Sequence, residues 1–411
     1  MKFFVGCFLL LTGCATYQGK VSPARELIQQ QKFSEAASLL KPLSEKVNGD
    51  QLVYLMDYGT ALHLAGDFEE SNKAFLQADK LAEQLDYHSV SKQAGSLLLN
   101  EEMVQYKGDT FERVFIHAYL AMNFVSLGKM DEALVEARRI NQKYQKFRMD
   151  EKKAFEVNVF GKYLSALIWE ATRQWDDAYI AYLDSYKVDP QIPGIREDLI
   201  RMAKLSRRPD EYLKWKKEFP DVVEDPAWYD QSLGEVFILL QQGWGPRKVF
   251  SQDSHRFPEL KPVSSRTQKF KSQLSNRSSS TEDHNLLSRR IYSVESAAIK
   301  TLKDDYAGLV AKRLAGMAAK EVVADQIRQK NELLGFFAWV TLHASDRADL
   351  RQWSLLPESI HLIRVPVKPG NLSLNIVGLD SSGLPTGEGS EGLELSIKAK
   401  QKKFIFFRSV R

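Results

Sequence analysis

A pattern of small and large residues recurs along the first half of this chain, and it constrains the fold more than any other feature. Tyr58-Gly59, Leu62, Gly66, Phe68, Ser71, Phe75 and Ala78 make one copy. Ala121, Phe124, Gly128, Met130, Ala133 and Ala137 make a second, and Ala166, Trp169, Trp175, Ala178, Tyr182 and Pro190 a third. A degenerate copy precedes them at Leu27, Phe33, Ala36 and Leu40. Small residues at Gly59, Ala121 and Ala166 let two antiparallel helices approach closely. Ala36, Ser71, Ala133 and Ala178 do the same one helix later, and the large residues fill the gaps between neighbouring hairpins. Gly66 and Gly128 fit the C-cap of a first helix. The acids of Asp67-Phe68-Glu69-Glu70 and Asp131-Glu132 then favour the start of the second. The copies are unevenly spaced: Leu81 to Thr110 and Gln142 to Val159 intervene, which predicts longer helices or inserted loops. A further hairpin is expected over Ile195 to Phe219, turning at Arg208-Pro209-Asp210.

This spacing resembles the tetratricopeptide repeat. The resemblance implies a helical-hairpin solenoid whose first helices line a concave face. Carried over onto this chain, that face comprises Met56, Thr60 and His63, then Ala118, Met122 and Val125, then Tyr163, Leu167 and Glu170. It is mixed and mildly apolar, which suits a helix or an extended peptide. The competing occupant is the chain's own β part.

The N-terminus reads as a targeting segment. Lys2 precedes an apolar run, Phe3 to Leu11, which is too short to cross a bilayer and fits a secretory signal. Leu11-Thr12-Gly13-Cys14 resembles the bacterial lipobox. That resemblance implies cleavage before Cys14 and lipidation of it, and Ala15 in the next position implies sorting to the outer membrane, facing the periplasm. Two or more acyl chains anchor stably, because each buried methylene contributes about 0.8 kcal/mol. The only other cysteine, Cys7, lies in the signal. The mature chain therefore has no thiol for a disulfide, a zinc cluster or nucleophilic catalysis, which fits an oxidising compartment.

After Pro220 the pattern changes. Glu235 to Leu240 reads as a buried strand closed by Gln242-Gly243-Trp244-Gly245-Pro246, and a second strand is expected around Glu259 to Val263. Ser264 to Ser288 is rich in Ser, Arg, Lys and Gln and reads as a long mobile loop. Helical periodicity then runs from about Glu295 to Leu342. Ala311, Ala315, Gly316, Ala318 and Ala319 form a small-residue face within it, and Leu333 to Leu342 reads as a buried helix. His361 to Val367, Leu372 to Leu379, Leu393 to Ala399 and Phe404 to Phe407 read as a four-strand meander. The expected architecture is thus mainly α: a tetratricopeptide-like helical-hairpin solenoid followed by a smaller α+β domain with a C-terminal antiparallel meander. The expected divisions are a signal at 1–13, a tether at 14–23, the repeats at 24–219, and the α+β part at 220–411 with its loop at 264–288.

Little in the sequence points to catalysis. The 411 residues are 44% apolar, as in a globular protein, and the net charge of +4 gives no bulk argument for nucleic acid. Gly387-Glu388-Gly389-Ser390-Glu391-Gly392 has the glycine spacing of a dinucleotide fingerprint. A strand follows it rather than a helix N-terminus, and two acids would repel phosphate, so it reads as a hairpin loop. The seven histidines are scattered, none at a metal-ligand spacing from another, so neither a metal nor a cofactor is expected. Acids are plentiful, but no spacing selects a hydrolytic pair. Lys398, Lys400, Lys402, Lys403, Arg408 and Arg411 fit a solvated strand face, with anionic lipid or glycan as the sharper reading.

A second resemblance is dispersed over most of the chain. Tyr106-Lys107-Gly108, Phe111-Glu112-Arg113-Val114, Leu134 to Arg139, Gly243 to Lys248 and Ala348 to Pro357 are similar to a group of proteobacterial outer-membrane repeat lipoproteins. No activity comes with that resemblance. It implies that repeats and β part form one architecture, and it singles out Tyr106, Glu112, Glu136, Arg139, Arg351 and Trp353, whose plainest reading is structural. The expected function is a non-enzymatic, lipid-anchored scaffold that binds an envelope protein or peptide. The alternatives are a regulator of peptidoglycan synthesis or wall-binding module, and a hydrolase.

Overall fold

The computed structural model describes residues 16–88, 105–149, 158–252, 257–276, 279–344 and 347–411. The lipobox and Cys14 lie outside them. Among the described residues, ten helices build the first half: α1 (Tyr17–Gln29), α2 (Phe33–Ser44), α3 (Gln51–Ala65), α4 (Phe68–His88), α5 (Thr110–Ser126), α6 (Met130–Met149), α7 (Val159–Ala171), α8 (Trp175–Val188), α9 (Ile195–Leu205) and α10 (Pro209–Glu218). They form successive hairpins, each packed on the next. The repeat chemistry holds at atomic scale. A Cβ on Gly59 would come within 2.9 Å of the Phe75 ring, so α3 and α4 touch backbone to ring there. Gly66 caps α3 at φ +80°, a left-handed conformation that disfavours side chains. The extra residues between repeats go partly into longer second helices, 21 residues in α4 and 20 in α6. The expected tether is helical from Tyr17 onward, because Tyr17, Val21, Ala24 and Ile28 recur at helical spacing and all are buried.

Among its described residues, the second half supplies ten strands: β1 (Gly234–Gln242), β2 (Arg247–Phe250), β3 (Pro258–Lys261), β4 (Lys269–Asn276), β5 (Ser279–Leu287), β6 (Arg289–Ser293), β7 (Ser359–Val367), β8 (Gly370–Leu379), β9 (Pro385–Ile397) and β10 (Lys402–Arg408). One sheet runs β10-β1-β7-β6 and another β5-β4-β8-β9, while β2 and β3 form a separate hairpin. The expected meander is therefore divided. β8 and β9 pair antiparallel in the second sheet, and β10 returns to lie parallel to β1 in the first.

Alternation sorts the β1 sheet into two faces. Phe237, Leu239, Ile360, Leu362, Phe404 and Phe406 join the helical core. Val236, Ile238, Ile363, Val365, Ile405 and Phe407 face the second sheet. The result is three layers: helical array, sheet, sheet. Burial on both faces explains why β1 reads as an unbroken apolar run.

Three more expectations from this half need correction. Ser264 to Ser288 is mostly strand, β4 and β5. Phe270, Ser272 and Leu274 alternate inward while Lys269 and Gln273 face out, a period of two hidden by polar composition. Gly387 to Gly392 lies within β9 rather than in a hairpin turn, and Glu388 is buried, accepting from the backbone N–H of Val410 at 2.7 Å and Arg411 at 2.9 Å. Two basic residues of the terminal strand are not solvated: Lys402 is enclosed by acids and Arg408 is buried against Trp244 and Gln241.

Two further helices, α11 (Val294–Lys330) and α12 (Glu332–Ala344), form an antiparallel hairpin beside the sheets. The expected helical stretch is present, but Leu333, Leu334, Phe336, Phe337, Trp339 and Val340 are exposed rather than buried, as are Ala311, Ala315 and Ala318 of the small-residue face. Among the described residues, no helix is long and apolar enough to cross a membrane.

Candidate functional site

The concave face expected to receive a partner is occupied by the chain itself. Met56, Thr60, His63, Ala118, Met122, Tyr163, Leu167 and Glu170 are all buried, and Val125 is half-buried against the same core. What covers them is the β1 sheet and the strap from Asp349 to Leu356. Thr60 accepts from the Trp353 indole at 2.9 Å. His63 sits between α5 and β1, its Nδ1 2.6 Å from Asn123 Oδ1 and its Nε2 3.4 Å from Gln241 Nε2. Those partners set Nδ1 as donor and Nε2 as acceptor, and burial lowers the ring's pKa to about 4, so it is neutral. As an open groove, this site is withdrawn.

Two polar seams join array and sheet. The first holds the strap. Asp57 on α3 accepts from the backbone N–H of Ser354 at 3.0 Å and Leu355 at 3.1 Å, and from the Tyr17 hydroxyl. Glu112 on α5 accepts from Trp353 N–H at 2.8 Å and Tyr106 hydroxyl at 2.6 Å. Arg351 bridges Asp349 at 2.7 Å and Asp50 at 3.0 Å, with its guanidinium over the Tyr106 ring. Desolvation raises both Asp57 and Glu112 to about 7. Tyr106, Glu112, Arg351 and Trp353, dispersed in sequence, thus meet in one structural lock. The Gly243–Lys248 stretch meets the same strap, through Gly245 N–H to Leu356 O at 2.9 Å and Gln352 to Pro246 O at 2.7 Å. Glu136 and Arg139 lie elsewhere: Glu136 is 2.7 Å from His117 and 3.5 Å from the half-exposed Arg139. Burial works against a charged His117, yet its hydrogen bonds to Asp79 and Glu136 prevail and raise its pKa.

The second seam is ionic. Glu170, Asp198 and Glu235 alternate with Arg201, Arg364 and Lys402, contributed by α7, α9, β1, β7 and β10. Arg364 reaches Glu170 and Glu235 at 2.9 Å each and Asp198 at 2.5 Å. Lys402 reaches Glu170 at 2.6 Å. Burial opposes ionisation of Glu170, but Arg201, Arg364 and Lys402 outweigh it and hold that carboxyl well below its usual range. Glu235, opposed by burial in the same way, is held at about 2 by Arg364 and Lys402. Three acids facing three bases make the cluster self-neutralising, which is how buried charges are tolerated.

Beside this seam lies an open cleft of about 590 Å³, between the end of the helical array and the β1 sheet. Its wall includes Trp175, Trp228, Tyr229, Arg173, Arg289 and Lys400. Trp175, Trp228 and Tyr229 are half-buried, whereas Arg173, Arg289 and Lys400 are exposed at the rim. Aromatic faces edged by arginine suit protein or peptide contacts. The cleft's two strongly shifted carboxyls, Glu170 behind it and Glu235 in its wall, are both ionised near neutrality, so neither serves as a proton donor of the kind an acid pair needs. Among the described residues, no His, Cys, Asp or Glu group is arranged to hold a metal. The cleft was invisible in the sequence, because its wall draws on 163–235, 286–291, 362–366 and 400–402. Tyr163, Trp175, Lys400 and Lys402 stood out in the sequence, but as parts of a groove, a repeat and a basic strand face.

No family model and no curated protein matches the chain. Among solved structures, MamA of AMB-1 is 11% identical with a TM-score of 0.31, covering 50% of this chain and 92% of its own. BtubC from P. vanneervenii is 13% identical with a TM-score of 0.32, covering 50% and 82%. A tetratricopeptide repeat protein from Parabacteroides merdae is 15% identical with a TM-score of 0.22, covering 52% and 82%. Likeness at this level carries no argument about function; the class of helical-hairpin repeat protein rests on this chain's own packing.

Proposed function

We propose that this chain is a lipid-anchored scaffold of the bacterial envelope, held through Cys14 and non-enzymatic, that binds an extended segment of a protein partner. The observation that carries the reading is the aromatic cleft at the open end of the array. The concave face of the repeats is spent on the chain's own sheet, so the helices and sheets act as one body and the partner surface moves to this end. An extended peptide lies naturally against Trp175, Trp228 and Tyr229, with carboxylates meeting Arg173 and Arg289. The lipobox match supports the anchor, and the absence of a second thiol in the mature chain fits an oxidising periplasm.

The test is in-cell photocrosslinking from a probe at Gln231, an exposed residue of the cleft wall, beside a probe at Gln77 on the exposed face of α4. A protein adduct from Gln231 that is absent from Gln77 is the expected result. Adducts only to wall fragments would transfer the role to peptidoglycan binding, and the same adducts from both probes would overturn the cleft as a site. Incorporation of a clickable palmitate into the wild type but not into Cys14→Ser tests the anchor.

A further inference from the structure

The α11–α12 hairpin presents the wrong chemistry to water. Leu333, Leu334, Phe336, Phe337, Trp339 and Val340 are between 37% and 71% exposed, within eight consecutive positions. From Leu333 to Ala344 the sequence has no Asp, Glu, Lys or Arg. Gly335 packs tightly on α11: a Cβ there would stand 2.4 Å from Arg328 Cα, so the two helices meet backbone to backbone at the turn. Trp339 also donates to Glu321 of α11 at 2.8 Å, yet the large apolar side chains of α12 remain exposed. A helix apolar on all sides belongs in a protein core or in lipid. A flat protein partner would cover one side of it, whereas hydrocarbon surrounds it.

We propose that this hairpin inserts into the surface of a phospholipid membrane as a second attachment point. Its length fits that role: 13 residues give about 20 Å, short of a bilayer's apolar thickness but enough to lie in one leaflet. Charge does not oppose it: the exposed bases Lys312, Arg328 and Lys330 are matched by the exposed acids Glu321, Asp325 and Glu332, while Arg313 and Lys320 are buried. Position gives the second argument. Gln18, at the start of α1, donates to Leu350 O at 3.2 Å, and Arg313 on α11 donates to Arg347 O at 2.9 Å. Three residues of chain separate those contacts, a span of about 10 Å at most. Gln18 also donates to Lys248 O on β2, while Phe257, beside β3, packs on Tyr306 of α11 at 5.8 Å. The start of α1 therefore lies on the same side of the body as the hairpin. Cys14 lies only two residues before Thr16, about 7 Å of chain.

The inference draws support from the lipid-anchor reading but is tested without it. A chain starting at Thr16 retains every described element and lacks both Cys14 and the leader. Its flotation with vesicles of phosphatidylethanolamine and phosphatidylglycerol is compared with that of Phe336→Glu/Phe337→Glu. Both side chains are exposed, so the double variant should keep its circular dichroism and melting midpoint. The proposal expects the parent to float and the variant to lose at least tenfold in partitioning. Equal flotation of both, or flotation of neither, overturns it. A parent that dimerises and does not float, with a monomeric variant, assigns the face to a second copy and also overturns it.

Discussion

The strap seam and the ionic seam join the same two bodies by opposite means. At the strap, Asp57 and Glu112 receive backbone N–H groups and tyrosine hydroxyls, and burial lifts both carboxyls to about 7. At the other end, Glu170 and Glu235 receive arginine and lysine, and the bases hold them ionised. A carboxylate that gathers N–H groups fixes the path of an irregular segment, because each bond specifies one backbone position. A carboxylate that gathers guanidinium groups locks two preformed surfaces, because a planar fork fits only one approach. The chain uses the first where the strap from Asp349 to Leu356 has no ladder of its own. It uses the second where helix ends meet finished strands.

That contrast can be broken in order of expected effect. Glu170→Ala would leave Arg201, Arg364 and Lys402 facing one another in a buried site, and should lower unfolding free energy by about 3–5 kcal/mol. Denaturant titration checks it. Trp353→Ala removes a buried indole and its bond to Thr60, and should cost about 3–5 kcal/mol, with the loss concentrated in the strap. Hydrogen exchange should show Ser354 and Leu355 deprotected while the β1–β7 ladder stays slow. A loss spread evenly over both seams would contradict two independent locks.

The pH dependence separates the seams by sign. For Asp57 the folded pKa lies above the unfolded value, so its stabilising contribution is full below about 4 and is lost as pH rises through 7. Asp57→Asn should therefore flatten the decline in melting midpoint between pH 5 and 7.5. Glu235 is the reverse. Its contribution is full above about 4.5 and is lost as pH falls towards 2, so Glu235→Gln should flatten the acid limb instead. The smallest effect belongs to Arg139, whose side chain is 42% exposed and 3.5 Å from Glu136. Arg139→Ala should change stability by about 0.5 kcal/mol or less.

How far the sequence could be read follows from the range of its signals. Gly59 opposite Phe75, the caps at Gly66 and Gly128, and the turn at Arg208-Pro209-Asp210 are local, so spacing alone revealed the hairpins. The seams are not local: Asp57 meets Ser354, and Glu170 meets Arg364 and Lys402, across 190 to 300 residues. Nothing near Glu170 announces its partners, and it read as part of a groove. Composition misled at β4, where serines and lysines concealed Phe270, Ser272 and Leu274 in alternation. It misled again at α12, where an apolar run read as buried. Tyr106, Glu112, Arg351 and Trp353 were legible as residues that mattered, though not as neighbours.

The central claim is that the chain's own sheet closes the repeat array. Arg173, between α7 and α8, donates to Lys400 O at 3.4 Å across the open end, and both residues are exposed. Arg173→Cys/Lys400→Cys in a Cys14→Ser background, treated with a short bis-maleimide in intact cells, tests it most directly. The account predicts near-complete internal linking with no loss of fold. A folded pair that stays unlinked would contradict it, because the array would then stand open.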